Sequence, residues 1–219
     1  MDAKKPELSA LSIVLLGDFN PKIFHPAWFA YEGLIKQVEA DEAKLEIIHP
    51  EITSFSLEWF NLQITRDRFV IETKQEPYYE VIRDLVLGTF ELLRHTPLKS
   101  MGINTDKHFR MESEEKWHTL GHKLAPKEPW SDALENPGLI SLTMQGNYGR
   151  DGFKGFIRVQ VGPSEKIQPG IYLMVNDHYE KDDSSKVAGA HDIVNILKKS
   201  WEKSIQRSEL IVCNILGKE

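Results

Sequence analysis

Glu114, His118 and His122 recur at i, i+4 and i+8, so a regular helix would line two imidazoles and a carboxylate along one face, a spacing that can chelate zinc or another divalent ion. The pattern is His-x-x-x-His without the adjacent Glu that a zinc protease uses as its base, and Gly121 and Pro126 shorten the helix. The plainer account is a solvated polar face with Trp117 and Leu124 turned inward. A second group is Asp177-His178 with His191-Asp192, flanking an acidic loop that contains Asp182 and Asp183. Folded together, these would offer a carboxylate–imidazole pair for acid–base work or a metal. The plainer account has the loop acids facing solvent and Asp192 favouring the positive end of a helix. Arg66, Arg68 and Arg150 stand at expected hairpin tips, where they would grip an anion or an acidic partner, or simply end exposed turns as Arg-Asp pairs.

No nucleophile accompanies these groups. Cys213 lies in the apolar segment Leu210–Leu216 and reads as a small buried hydrophobe, and no serine sits in a Gly-x-Ser-x-Gly elbow. The glycines of Gly146-Asn147-Tyr148-Gly149-Arg150-Asp151-Gly152 fall between two strands with no following helix, so they read as a turn rather than a phosphate cradle. Phe19, Phe24, Trp28 and Phe29 crowd the first loop and helix, and Trp117 and Trp130 border a Pro-rich stretch. Most such rings belong to a core, although a partly exposed cluster would suit protein binding.

The chain of 219 residues is long enough for a large core, and 41% hydrophobic with 27% charged residues excludes disordered and collagen-like chains. A net charge of −6, with neither half basic, disfavours general nucleic-acid binding, which rests on clustered Lys and Arg. One cysteine permits no internal disulfide and points to a reducing compartment, hence the cytoplasm. No apolar run has the length of a membrane helix, and Gly17-Asp18-Phe19-Asn20-Pro21 offers no signal-cleavage site after Leu8–Leu16.

The elements that must position these side chains follow from periodicity. Leu11–Leu16 reads as a central strand with apolar groups on both faces, ending at Gly17. Pro26 opens a helix carrying Ala27, Tyr31, Leu34, Ile35 and Val38. Lys44–His49 is a strand, Ser54–Thr65 a longer one bulged between Trp59 and Phe60, and Phe69–Thr73 its hairpin partner across Arg66-Asp67-Arg68. Pro77 opens the clearest helix, with Val81, Ile82, Leu85, Val86, Thr89, Leu92 and Leu93 at core spacing, closed by Pro97. Then come a strand Leu98–Asn104, a short helix Glu112–Leu124, three strands Gly138–Gly146, Gly152–Gly162 and Gly170–His178, and a loop Glu180–Lys186. A last helix holds Ile193, Ile196, Leu197, Trp201 and Ile205 on one face, and Leu210–Leu216 extends it or adds an edge strand.

The order strand, helix, three strands, helix therefore occurs twice. Gly17-Asp18-Phe19-Asn20 before Phe24 parallels Gly102-Ile103-Asn104 before Phe109, and Arg66-Asp67-Arg68-Phe69 parallels Arg150-Asp151-Gly152-Phe153 at nearly equal separations. The fold expected is α+β: an antiparallel sheet with helices on one face, built from two pseudo-symmetric units, 1–97 and 98–219, fused into one domain. The opposite sheet face, or a groove between helices, is then the natural binding surface.

The run Leu62-Gln63-Ile64-Thr65-Arg66-Asp67-Arg68-Phe69, then Tyr78-Tyr79, the helix to Leu93 and the strand through Gly102-Ile103-Asn104 resembles a sporadically distributed bacterial family that is mostly uncharacterised. The resemblance covers residues 55–110 and implies a bacterial, cytosolic α+β protein, with no catalytic residues to carry over; its sporadic occurrence fits an accessory or defence system. The expectation is a non-catalytic subunit that binds another protein or a second copy of itself, with no cofactor. Its alternatives are a metal-dependent hydrolase using His118 and His122, and a nucleic-acid-associated component.

Overall fold

Alternating and near-continuous apolar runs form strands, and 3.6-residue stripes form the helices that cover them. The structure, a computed structural model, describes residues 5–148, 152–181 and 189–217. In chain order the elements are β1 (Leu8–Gly17), α1 (Pro26–Tyr31), α2 (Gln37–Asp41), β2 (Lys44–Ile48), β3 (Ile52–Ser56), β4 (Asn61–Thr65), β5 (Arg68–Thr73), α3 (Tyr79–Leu92), β6 (Leu98–Arg110), α4 (Glu114–Leu124), β7 (Leu142–Tyr148), β8 (Lys154–Pro163), β9 (Gly170–Glu180) and α5 (His191–Leu216). The protein is α+β. Its nine strands form one antiparallel sheet in the order β2-β3-β4-β5-β1-β6-β9-β8-β7. β1 and β6 pair along almost their whole length, so one sheet runs through both halves of the chain.

Among the described residues, all helices lie on one face of this sheet. Leu11, Ile13 and Leu15 of β1, Phe69 and Ile71 of β5, and Met101 and Ile103 of β6 point the same way and are buried with Ile82, Val86 and Phe90 of α3 and Ile193, Leu197 and Trp201 of α5. Phe24 is the hub of an aromatic cluster, with its ring 5.7 Å from Phe69, 6.3 Å from Phe90, 6.4 Å from Phe19 and 6.4 Å from Phe29. A smaller cluster under α4 joins Phe109, Leu120, Val161, Ile171 and Val212. Phe19, Phe24 and Phe29 are thus core; Trp28 and Trp117 are half-buried, and Trp130 is exposed.

Several expectations are corrected. The helix from Pro26 stops after Tyr31, because the chain turns at Gly33 with φ 72, a left-handed conformation that glycine adopts without strain; α2 follows separately. Ser54–Thr65 is a hairpin and not a bulged strand: Ser56 pairs with Asn61, and the connecting Leu57–Phe60 buries Trp59 and Phe60. The first half therefore has four strands after its helices, against three in the second. β6 runs six residues beyond Asn104, to Arg110, and Leu210–Leu216 continues α5. Cys213 on that helix is half-buried. Among the described residues, no helix is long and apolar enough to cross a membrane.

Candidate binding cleft on the helix-free face

Side chains of a strand alternate between faces, so β6 presents two different chemistries. Its helix side carries Thr105 and Lys107, which α5 satisfies: Thr105 shares a short hydrogen bond with Ser208, and Lys107 donates to Glu209. On the neighbouring β9, buried Asp177 pairs with Arg207 of α5 and accepts from the Tyr179 hydroxyl at 3.1 Å. Burial pushes the Asp177 carboxyl above the ordinary carboxylate range despite Arg207 beside it.

The other side of β6 carries Asn104, Asp106, His108 and Arg110, and among the described residues no helix covers it. Cross-strand register lines up Lys44, Ser56, Asn61, Glu72, Ser12, Asn104, Asn176, Arg158 and Gln145 in one row across all nine strands, and none of them is buried. Within it Asn176 donates to Asn104, Asn104 donates to Ser12 Oγ at 3.1 Å, and Arg158 donates to Gln145 at 2.8 Å. Gly102 makes room for this chain, since a Cβ there would stand 2.9 Å from Asn176 Nδ2. Beside the row, His178 stacks on Phe156 at 4.5 Å, and the Arg158 guanidinium lies 5.0 Å from the same ring.

At one end of this face opens a cleft of about 840 Å³. Asp106, His108 and Tyr172 line it with Glu72, Lys74 and Lys166. The Tyr172 hydroxyl donates to Asp106; burial, with that carboxylate alongside, pushes the phenol well above its ordinary pKa. His108 is 7% exposed and packs its ring 4.9 Å from that of Tyr172. Its Nδ1 lies 2.8 Å from Ser164 Oγ, which already accepts from the amides of Lys166 at 3.2 Å and Ile167 at 3.0 Å. With both hydroxyl lone pairs engaged, the Ser164 proton goes to Nδ1, which places the ring proton on Nε2. Burial, reinforced by Lys166, holds His108 below its ordinary pKa, so the ring is neutral at pH 7.

The side chains singled out from spacing lie elsewhere. α4 forms and carries Glu114, His118 and His122, capped by Ser113 accepting from the Lys116 amide at 3.2 Å, but among the described residues no three His, Cys, Asp or Glu side chains converge as metal ligands. Asp177 and His178 do not act together, because neighbours on a strand face opposite ways; His191 is exposed beside Asp192, 3.5 Å away. Arg66 pairs with Glu51 at 2.5 Å, and its turn is tied to the chain after β1 by the Phe19 amide donating to the Arg66 carbonyl at 2.8 Å. Arg68 is exposed at the start of β5; Arg150, Asp182 and Asp183 lie outside the described residues. The cleft residues Asp106, His108 and Tyr172 are not among the side chains that spacing singles out; their signal is the period-two alternation of polar Asn104, Asp106, His108 and Arg110, which continues beyond the expected strand end at Asn104.

No family model and no curated protein matches the chain. Among solved structures it is similar to a rolling circle replication initiator protein from Geobacillus stearothermophilus, at 11% identity and a TM-score of 0.33, over 90% of this chain and 79% of that one. A likeness that distant carries no functional argument.

Proposed function

We propose that this chain is a non-catalytic, protein-binding or assembly subunit of a cytosolic bacterial complex, and that it meets its partner with the helix-free face of the sheet. One observation carries the reading: the polar row from Lys44 to Gln145 crosses all nine strands with, among the described residues, no helix over it, and at Glu72 it borders a cleft in which Tyr172 and His108 are held in hydrogen bonds. A phenol raised above its ordinary pKa is a poor nucleophile, and a histidine whose Nδ1 is occupied and whose Nε2 is protonated is a donor rather than a base. Hydrogen-bonded, half-buried polar side chains held on rigid strands suit recognition. The acidic cleft disfavours nucleic acid as the partner.

The duplicated plan belongs to the same proposal. Strand order supports it, since β5 and β4 leave the central β1–β6 pair on one side as β9 and β8 do on the other. The test is copurification from a bacterial host with light scattering of the product. A stoichiometric partner or a homo-oligomer is expected, lost on Asn104→Lys in the polar row and kept on Lys123→Ala on exposed α4. A clean monomer without a partner overturns the reading.

A further inference from the structure

The cleft holds charges of both signs that do not neutralise one another. Among the described residues, Lys74 and Lys166 form no ion pair and no side-chain hydrogen bond, and neither does Glu72, although all three line one cavity. Asp106 is engaged by the Tyr172 hydroxyl, a bond that leaves the carboxylate further lone pairs. The His108 ring is mostly buried, but its Nε2–H is accessible from the cleft and has no hydrogen-bond partner among the described residues. An unpaired donor beside a lysine calls for a carboxylate; an aspartate with lone pairs to spare calls for an ammonium.

We propose that this cleft binds a small zwitterion of the free amino-acid type, its carboxylate taken by His108 Nε2–H and Lys166 and its ammonium by Asp106. Asp106 and His108 stand two residues apart on one face of β6, roughly 7 Å, a separation that one small molecule bridges with a hydrogen bond at each end. A peptide chain would spread its two termini too far apart for both groups. The volume left over accommodates a side chain against Tyr172. Lys74 and Glu72, on the far wall, set the preference among side chains. This inference goes beyond the partner-binding reading and does not rest on it, since the cleft can be filled whether or not the polar row meets another protein.

The test is saturation-transfer NMR and calorimetry on the full chain with each of the common free L-amino acids. For the tightest binder, its N-acetyl and its amide derivatives are then compared, each lacking one of the two charges. The expected result is one saturable site for a subset of the amino acids, weakened about tenfold or more by either derivative. Asp106→Asn should produce the same loss, and so should Lys166→Ala, an exposed position where folding is not at issue. Wild-type binding that survives Lys166→Ala unchanged overturns the proposal. Equal binding of the acetylated or amidated derivative overturns it as well, as does the absence of any bound amino acid.

Discussion

The two faces of the sheet are built from the same strands, often from adjacent residues, yet their polar groups have opposite fates. Thr105, Lys107 and Asp177 point at α5 and find Ser208, Glu209 and Arg207 waiting there. Asp106, His108 and Asn176, one position away on those strands, turn to the other face and bond to Tyr172, Ser164 and Asn104 there, with Asp106 and Asn176 still partly open to solvent. A covering helix turns polar residues into structural fasteners; its absence leaves hydrogen-bonding capacity for something outside the chain. The number of polar groups on a strand therefore says little about function until the face is known.

The sharpest way to break this contrast is Arg207→Ala, which leaves the Asp177 carboxylate buried and uncompensated. A cost of about 3–5 kcal/mol is expected in urea unfolding, and the double variant Arg207→Met with Asp177→Leu should recover most of it. A loss below about 1 kcal/mol would place the helix face on the same footing as the open one. On that open face, Asn104→Ala removes a link of the polar row with water free to replace it, so a loss of about 0.5–1.5 kcal/mol is expected in the same titration.

The faces also differ in their response to acid. His108 and His178 are both held below the ordinary imidazole value, chiefly by burial. The unfolded chain takes up their protons first, so their contribution to stability is full above pH 6.5 and is lost as pH falls through the lower folded values. Unfolding at pH 7.5 and 5.5 should show this loss, and His178→Phe, which keeps a ring against Phe156, should reduce it. Asp177 has the opposite sign: its raised carboxyl contributes fully below pH 3.8, and that contribution is lost as pH rises through its folded value. The smallest effect is expected at the surface, where Arg66→Ala breaks an exposed pair with Glu51 and should change stability by less than about 1 kcal/mol in thermal or urea melts.

Much of the architecture was legible in the residues. β1, α3 and the first turns of α5 have strong apolar periodicity, and α5 loses it where Ser200, Ser204 and Ser208 are buried. The β3–β4 hairpin was not legible, because its connection Leu57-Glu58-Trp59-Phe60 contains no glycine or proline and buries two aromatic rings, so it reads like more strand. The cleft escaped for a different reason. Asp106 and Tyr172 are far apart in the chain and share a site only because β6 and β9 pair, a register that no local pattern announces. Spacing arguments favour residues on one helix, such as His118 and His122, and overlook those that meet across strands.

The central pairing of β1 with β6 governs how the chain comes into being. Residues 8–17 leave the ribosome long before residues 98–110, and until the later segment emerges the nascent chain carries the whole flank of β1 as an unpaired edge. Closing that gap late makes folding slow and dependent on distant contacts. A fragment ending at residue 97 would keep the edge open permanently, and self-association through it, rather than a small stable half-protein, is the outcome to expect.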